Sequence, residues 1–281
     1  MKFRLESEGL LIMRIGVLTS TETRHRFVAR YLARRLNVVA VGYEQTGYSP
    51  AAVHHDDLTE REREIVAFHF AERVRQEERF FGHEAEPFDK NSGMRVLHIG
   101  SGTLNSPSTL QFLRAAEIEA VVVYGTNLIK QPLIDAYAGR MINMHLGLSP
   151  YYRGTATNFY PLLNEEPEYV GATIHLIDPG IDSGPICKHA RPTITPDDQP
   201  HTIGCKAILA GVEALVEVVQ RLLAGRLHPT PQWRVPHPRL YLRKDYHPRQ
   251  VVELYRKLEA GLIRRYLERL KAGEAKIRLI G

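Results

Sequence analysis

Asn143 and His145 stand two residues apart in the run Met141-Ile-Asn-Met-His145, and Ile181-Asp-Ser-Gly184 follows after a basic turn. An amide, an imidazole and a carboxylate brought together can move an acyl group onto an amine. As the amine attacks a carbonyl, negative charge builds on the oxygen and positive charge on the nitrogen. The Asn143 amide can donate to that oxygen; in enzymes that use such a donor, its loss costs about 2.7–4 kcal/mol. His145 can exchange a proton with the nitrogen, because an imidazole has a reference pKa of about 6.5. Asp182 can accept from the imidazole, orient it and favour its charged form. None of these roles requires a metal, and none is expected.

A spacing of two places both side chains on one face of a strand, and the sequence predicts a strand over 140–145. Upstream, apolar runs predict strands over 14–19, 37–43, 94–100 and 120–124, with helices over 24–36, 107–116 and 132–137. That alternation implies an α/β fold with an open, mostly parallel sheet and helices on both faces. The turn Ser20-Thr-Glu-Thr23 lacks the Gly-x-Gly-x-x-Gly spacing of a dinucleotide site. Downstream, a turn is expected at 151–154, a helix at 156–163, strands at 170–176 and 185–192, and a helix at 201–223. Pro229, Pro231, Pro236 and Pro238 punctuate a linker, and 248–271 carries the apolar stripe of an amphipathic helix.

This pattern divides the chain into a lead over 1–13, a catalytic domain over 14–228, and a short helical C-terminal extension over 229–281. Within the domain, 48–93 reads as an insertion of alternating acid and base. Its helix over 60–79 is expected to be solvated, with a lid over the substrate or a dimer contact as the functional alternatives.

Composition narrows the class. The chain has 281 residues, 43% hydrophobic and 25% charged, as expected of a globular protein with a substantial core. A net charge of +5 favours an anionic ligand, whether a nucleotide, a phosphorylated metabolite or RNA. Cys187 and Cys205 stand far apart, which argues against a disulfide framework or a thiolate metal site and for a reducing cytoplasm. No apolar run approaches the roughly 20 residues of a membrane span, and the charged first eight residues do not suit a secretory signal.

Four segments together, Asn143-Met-His145, Pro150-Tyr-Tyr-Arg-Gly154, Gly171-Ala-Thr-Ile-His175 and Ile181-Asp-Ser-Gly-Pro-Ile186, resemble the folate-dependent formyltransferases. That family includes glycinamide ribonucleotide, methionyl-tRNA and nucleotide-sugar N-formyltransferases. The resemblance covers residues 120–191 well and the βαβ opening more loosely. It implies a Rossmann-like formyltransferase fold, N10-formyltetrahydrofolate as formyl donor, and Asn143, His145 and Asp182 as the catalytic three. It also implies two pterin-cradling regions, the turn with Gly125, Asn127 and Ile129 and the loop with Asp178, Gly180 and Ile181. His175 aligns with a His found beside the catalytic Asp. One departure is evident: the family has Ser-Leu-Leu-Pro after the His and one small residue, whereas this chain has Gly147 at that Ser position and Ser149 two later.

For the acceptor, the resemblance offers three classes. A glycinamide ribonucleotide enzyme leaves the insertion and tail without a use, and a methionyl-tRNA enzyme adds a C-terminal β-barrel where this tail reads as helix. A nucleotide-linked amino sugar fits best. Arg153, with Tyr152 beside it, is the favoured contact for the acceptor's anionic group, followed by Lys130 and the pair Arg243-Lys244. Formyl-folate hydrolysis and a catalytically silent folate-binding protein remain as alternative activities. The charged insertion and helical tail also suit a homodimer.

Overall fold

Alternation of apolar side chains along the central strands decides which face of the sheet each residue meets. The computed structural model describes residues 5–6, 10–11, 13–45, 57–89 and 92–281. Most of the expected lead over 1–13, and the 48–56 and 90–91 parts of the insertion, lie outside them. Seven strands form the main sheet: β1 (Ile15–Ser20), β2 (Val38–Glu44), β3 (Arg95–Ile99), β4 (Ala120–Tyr124), β5 (Met141–His145), β7 (Ala172–Leu176) and β8 (Ile186–Ala190). Their spatial order is β8-β7-β5-β4-β1-β2-β3. β1 to β5 run parallel, and β7 and β8 extend the sheet antiparallel.

Helices α1 (Thr23–Ala33) and α6 (Pro200–Leu223) pack on one face with Val122, Tyr124, Ile142 and Met144. Helices α3 (Pro107–Ala115) and α4 (Leu133–Ala136) cover the other with Val121, Val123 and Met141. By alternation Asn143 and His145 share the face of Met141, away from α6. A one-residue slip of β5 would exchange them with Ile142 and Met144. Each such apolar side chain contributes roughly 1.5–3 kcal/mol by burial, so the register of the two polar residues is enforced by their apolar neighbours.

The helix in the charged insertion, α2 (Glu60–Phe81), opens with a capping box between Thr59 and Glu62. Contrary to expectation it is not simply solvated. Glu77 takes Arg24 Nη1 of α1 at 2.6 Å and Arg73 Nε at 3.4 Å, Phe81 stacks on Phe27 at 4.6 Å, and His69 Nδ1 lies 3.2 Å from His201 Nε2 of α6. The mixed charge hides an inner face because several of its charges are paired inward, a pattern that composition does not reveal.

Three further expectations change. The 151–154 turn contains a short strand, β6 (Tyr152–Gly154), which pairs in parallel with β9 (Arg239–Tyr241). The helix expected over 156–163 is only α5 (Tyr160–Leu163), because Ala156 has a φ of 54° and cannot continue a right-handed helix. The tail is two helices, α7 (Arg249–Glu259) and α8 (Leu262–Lys271). Between them Gly261 has a φ of 88°, a conformation open to glycine that ends one helix and re-aims the next. Leu254, Leu262, Ile263 and Tyr266 from these helices bury against Leu162, Val170 and Ile203. Among the described residues no helix is long and apolar enough to cross a membrane.

Candidate active site

Strand β5 delivers Asn143 and His145, and the hairpin loop between β7 and β8 folds back over their face to deliver Asp182. The three predicted residues meet. His145 Nδ1 lies 3.4 Å from Asp182 Oδ2, and Asn143 Nδ2 lies 3.5 Å from Asp182 Oδ1. The Gly154 N–H of β6 donates to Asp182 Oδ2 at 2.9 Å. His175, cross-strand from Asn143, joins them with Nε2 3.6 Å from Asp182 Oδ1 and 3.0 Å from Asn143 Nδ2. His175 Nδ1 sits 2.8 Å from the Leu176 carbonyl, to which it can only donate. In the neutral ring Nε2 is then an acceptor, so one N–H of the Asn143 amide is held by His175. The other leans toward Asp182 across a distance too long for a strong bond.

Burial sets the protonation behaviour. His145 is enclosed, and desolvation draws its pKa below the ordinary value; Asp182 opposes that shift, while His175 and Arg153 add to it. Burial works against the Asp182 charge, but His145 and the Gly154 N–H oppose it, and the carboxyl is held well below the usual range. A neutral imidazole beside a persistent carboxylate can accept a proton and be stabilised once charged. His145 Nε2 faces the Tyr152 carbonyl at 3.1 Å and Thr157 Oγ1 at 3.3 Å.

Thr157 explains the departure at Gly147. A Cβ on Gly147 would lie 2.6 Å from both His145 Nε2 and Thr157 Oγ1, so a serine does not fit where the family pattern has one. The Thr157 hydroxyl, which donates to the Leu146 carbonyl, occupies that space beside the imidazole. Ser149 is fully buried; its N–H donates to Thr173 Oγ1 at 2.9 Å and its carbonyl accepts from His189 at 2.8 Å. Thr157 lacks any sequence signal, because it reaches His145 through a non-helical turn.

The two expected cradle regions lie beside the three. Gly125 follows β4, whose Val123 pairs with Asn143. Gly125 has a φ of 68°, and a Cβ there would meet His25 Nε2 at 2.1 Å. Asn127 braces the turn: its N–H and Nδ2 donate to the buried Glu44 carboxylate at 2.7 and 2.8 Å, and its Oδ1 accepts from Arg243 at 2.8 Å. Ile129 is buried, whereas Leu128 is 53% exposed at the turn. In the second region Asp178 holds the Gly180 N–H at 3.1 Å and the Ser183 hydroxyl at 2.8 Å, and Ile181 is half-buried just before Asp182. Asn127 and Asp178 therefore act as braces, which leaves backbone edges and apolar side chains to face a ligand. Glu44, at the end of β2, was not evident in the sequence because a carboxylate closing an apolar strand resembles an ordinary strand end.

The acceptor-side residues divide. Arg153 is half-buried on β6, near enough to His145 to disfavour its protonation, and its Nε is buried with no hydrogen-bond partner among the described residues. Tyr152 does not face the cleft. Its ring is buried, and its hydroxyl donates to Glu166 and accepts from Asn164, so only its carbonyl, against His145, touches the site. Lys130 and Lys244 are exposed, and Arg243 bonds Asn127.

The formyl transferase family matches residues 54–219. A methionyl-tRNA formyltransferase of Thermodesulfovibrio yellowstonii is 34% identical over 116 residues, 41% of this chain and 37% of that protein. The matched stretches cover less than half the length of such curated relatives. Among solved structures, a phosphoribosylglycinamide formyltransferase from Anaplasma phagocytophilum superposes with a TM-score of 0.56 at 14% identity, covering 82% of this chain and 98% of that one. WlaRD, a sugar 3N-formyltransferase crystallised in the presence of dTDP and 5-N-formyl-THF, gives 0.52 at 14% identity, covering 84% and 72%. These two likenesses support the α/β fold described above.

Proposed function

The chain belongs to the formyl transferase family, and on that premise we propose that it transfers a formyl group from N10-formyltetrahydrofolate to a primary amine. The observation that carries this reading is the Asp182 carboxylate seated between His145 Nδ1 and the Gly154 N–H, with Asn143 alongside. The folate supplies a formyl group on a nitrogen that can leave. The Gly125–Ile129 turn and the 178–181 loop suit its ring, with Leu128 exposed for apolar contact and backbone groups available to read a donor and acceptor edge.

Asn143 donates its second N–H to the carbonyl oxygen as charge builds there, a contribution realised chiefly in the transition state. His145 takes the proton shed by the attacking nitrogen and returns it to the departing one, and Asp182 stabilises the imidazolium in between. Thr157 and the Tyr152 carbonyl keep the ring from rotating. Arg153, whose Nε has no hydrogen-bond partner among the described residues, meets an anionic group on the acceptor.

A nucleotide-linked amino sugar is the proposed acceptor. Its diphosphate suits Arg153, and the Arg239–Tyr241 strand brings the extension directly against β6, where a nucleotide could be read. A mass-spectrometric screen of amino-sugar nucleotides with formyl donor should find one gaining a single formyl group. Methionyl-tRNA is the second reading, favoured by the 34% identity to a protein of that name; formylation of charged initiator tRNA in preference to every amino sugar would select it. Release of folate without any acceptor would instead indicate hydrolysis, and full turnover by both His145→Ala and Asp182→Ala would sink the assignment of the reacting groups.

A further inference from the structure

Beyond α6, the linker reaches back to the turn that carries Asp182. Gln232 Nε2 donates to the Asp182 carbonyl at 2.7 Å and to the Gly184 carbonyl at 3.0 Å, so both hydrogens of one amide straddle Ser183. The backbone around Gln232 is itself anchored. Thr230 exchanges two backbone hydrogen bonds with Ile186, at 2.7 and 2.8 Å. The Trp233 ring meets Tyr151 and His189 edge-on at 5.9 and 6.0 Å, with the Arg278 guanidinium 4.3 Å over its face.

Asp182 needs such support. Its φ of 47° is a left-handed conformation, uncommon for a residue with a Cβ although Asp adopts it more readily than most, and contacts from outside the loop favour it. Bonds inside the loop run from Asp178 to Gly180 and Ser183; the carbonyls on either side of Ser183 are held from outside, by Gln232. Gly184 adds a tight constraint, since a Cβ there would lie 1.8 Å from the Leu176 carbonyl oxygen. The turn is thus pressed against β7 on one side and tied to the linker on the other.

We propose that Gln232 is a positioning residue for formyl transfer, holding the 182–184 turn so that the Asp182 carboxylate stays between His145 Nδ1 and the Gly154 N–H. The proposal rests on the role of Asp182 given above. Gln232 touches neither the imidazole nor the carboxylate; it acts through the backbone that presents them. The linker outside the sheet therefore completes the geometry inside it.

Gln232→Met keeps the length of the side chain and removes both donors. Its kcat should fall about 10- to 100-fold, the scale of a displacement of about 1 Å in a reacting group, while KM for the acceptor stays within about twofold. The acidic limb of the kcat profile should also move to lower pH. The titratable and charged groups around His145 are Asp182, His175 and Arg153; of these Asp182 alone helps His145 retain a proton, alongside the uncharged Tyr152 carbonyl, so a displaced carboxylate makes the imidazole harder to protonate. Unchanged kcat and an unchanged acidic limb would overturn the proposal, whatever happens to the melting temperature. If Gln232→Met does not fold, Gln232→Leu, which also removes both donors and adds no charge, is read the same way. NMR titration of labelled His145, assigned through His145→Gln, separates this idea from the reaction itself. If the wild-type protein formylates no amine, the proposed function fails. The titration then decides alone: a lowered His145 pKa in Gln232→Met supports the positioning role, and superimposable curves refute it.

Discussion

Strand β5 and the hairpin loop after β7 place groups that must meet, and they do so by different physics. Asn143 and His145 ride on a strand hydrogen-bonded on both sides, to β4 and β7, and Ile142 and Met144 lock its register from the opposite face. Asp182 rides on a loop in a left-handed conformation, held by the Gly154 N–H from 28 residues upstream and by Gln232 from 50 residues downstream. Strand placement comes from a local repeat with buried anchors. Loop placement is borrowed from distant chain, and each borrowed contact is a point at which it can fail.

The largest effects should come from removing the groups proposed to react. His145→Ala and Asp182→Ala should each lower kcat by about 10²- to 10⁴-fold, measured in steady state with the identified acceptor. Hydrogen exchange would sharpen the contrast: amides of 178–184 should lose protection in Asp182→Ala, whereas β5 amides should keep theirs in His145→Ala. Equal loosening of both regions would show that strand and loop are held alike. Asn143→Ala comes next, with an expected loss of about 10²- to 10³-fold in kcat, as for removal of one oxyanion donor.

Gly154→Ala probes the loop from its upstream support. A Cβ there would fall 1.9 Å from the Tyr241 carbonyl oxygen, at a φ of 95°. Separation of β6 from β9 should cost about 1–3 kcal/mol in denaturant unfolding and lower kcat as well, because the Gly154 N–H holds Asp182. Stability lost with kcat intact would mean that the loop does not depend on β6.

The mildest test is acidity. His145 has a folded-state pKa below its ordinary value, so the stability it contributes as a neutral ring is present above the ordinary value of about 6.5. Both its contribution to stability and its activity as a base are then lost as pH falls through the lower, folded value. The carboxyl of Asp182 is depressed further within its own range; its contribution is present above about pH 4 and lost only in stronger acid. Acid inactivation should therefore begin with His145 and precede the loss of the Asp182 charge. In Asp182→Asn the acidic limb should shift to lower pH, and a shift upward would show that another group governs it.

Much of the α/β frame was legible because β1, β2 and β4 are short, almost wholly buried apolar runs separated by helical periods, and burial on both faces demands that pattern. The pairing of Asn143 with His145 was equally legible, since a spacing of two needs no partner to be interpreted. Less could be read where charge and turn residues serve long-range ends. The ion pairs of Arg24 and Arg73 with Glu77 turn a mixed-charge helix into a packed one, and Tyr152, plausible as a contact by position, proves to be buried. Thr157, Glu44 and Gln232 carry no motif at all, because each acts on a segment from 11 to 83 residues away.

By itself, then, the sequence determined the sheet, the face and spacing of Asn143 and His145, and the presence of Asp182 in a turn-prone segment. These follow from periods of two and 3.6 residues, which any local stretch can express. Only the tertiary structure decided that Asp182 arrives at His145, that Thr157 fills the space over Gly147, and that the linker beyond α6 closes around the site. Those contacts join residues far apart in the chain, and their geometry exists only once the core beneath them has packed.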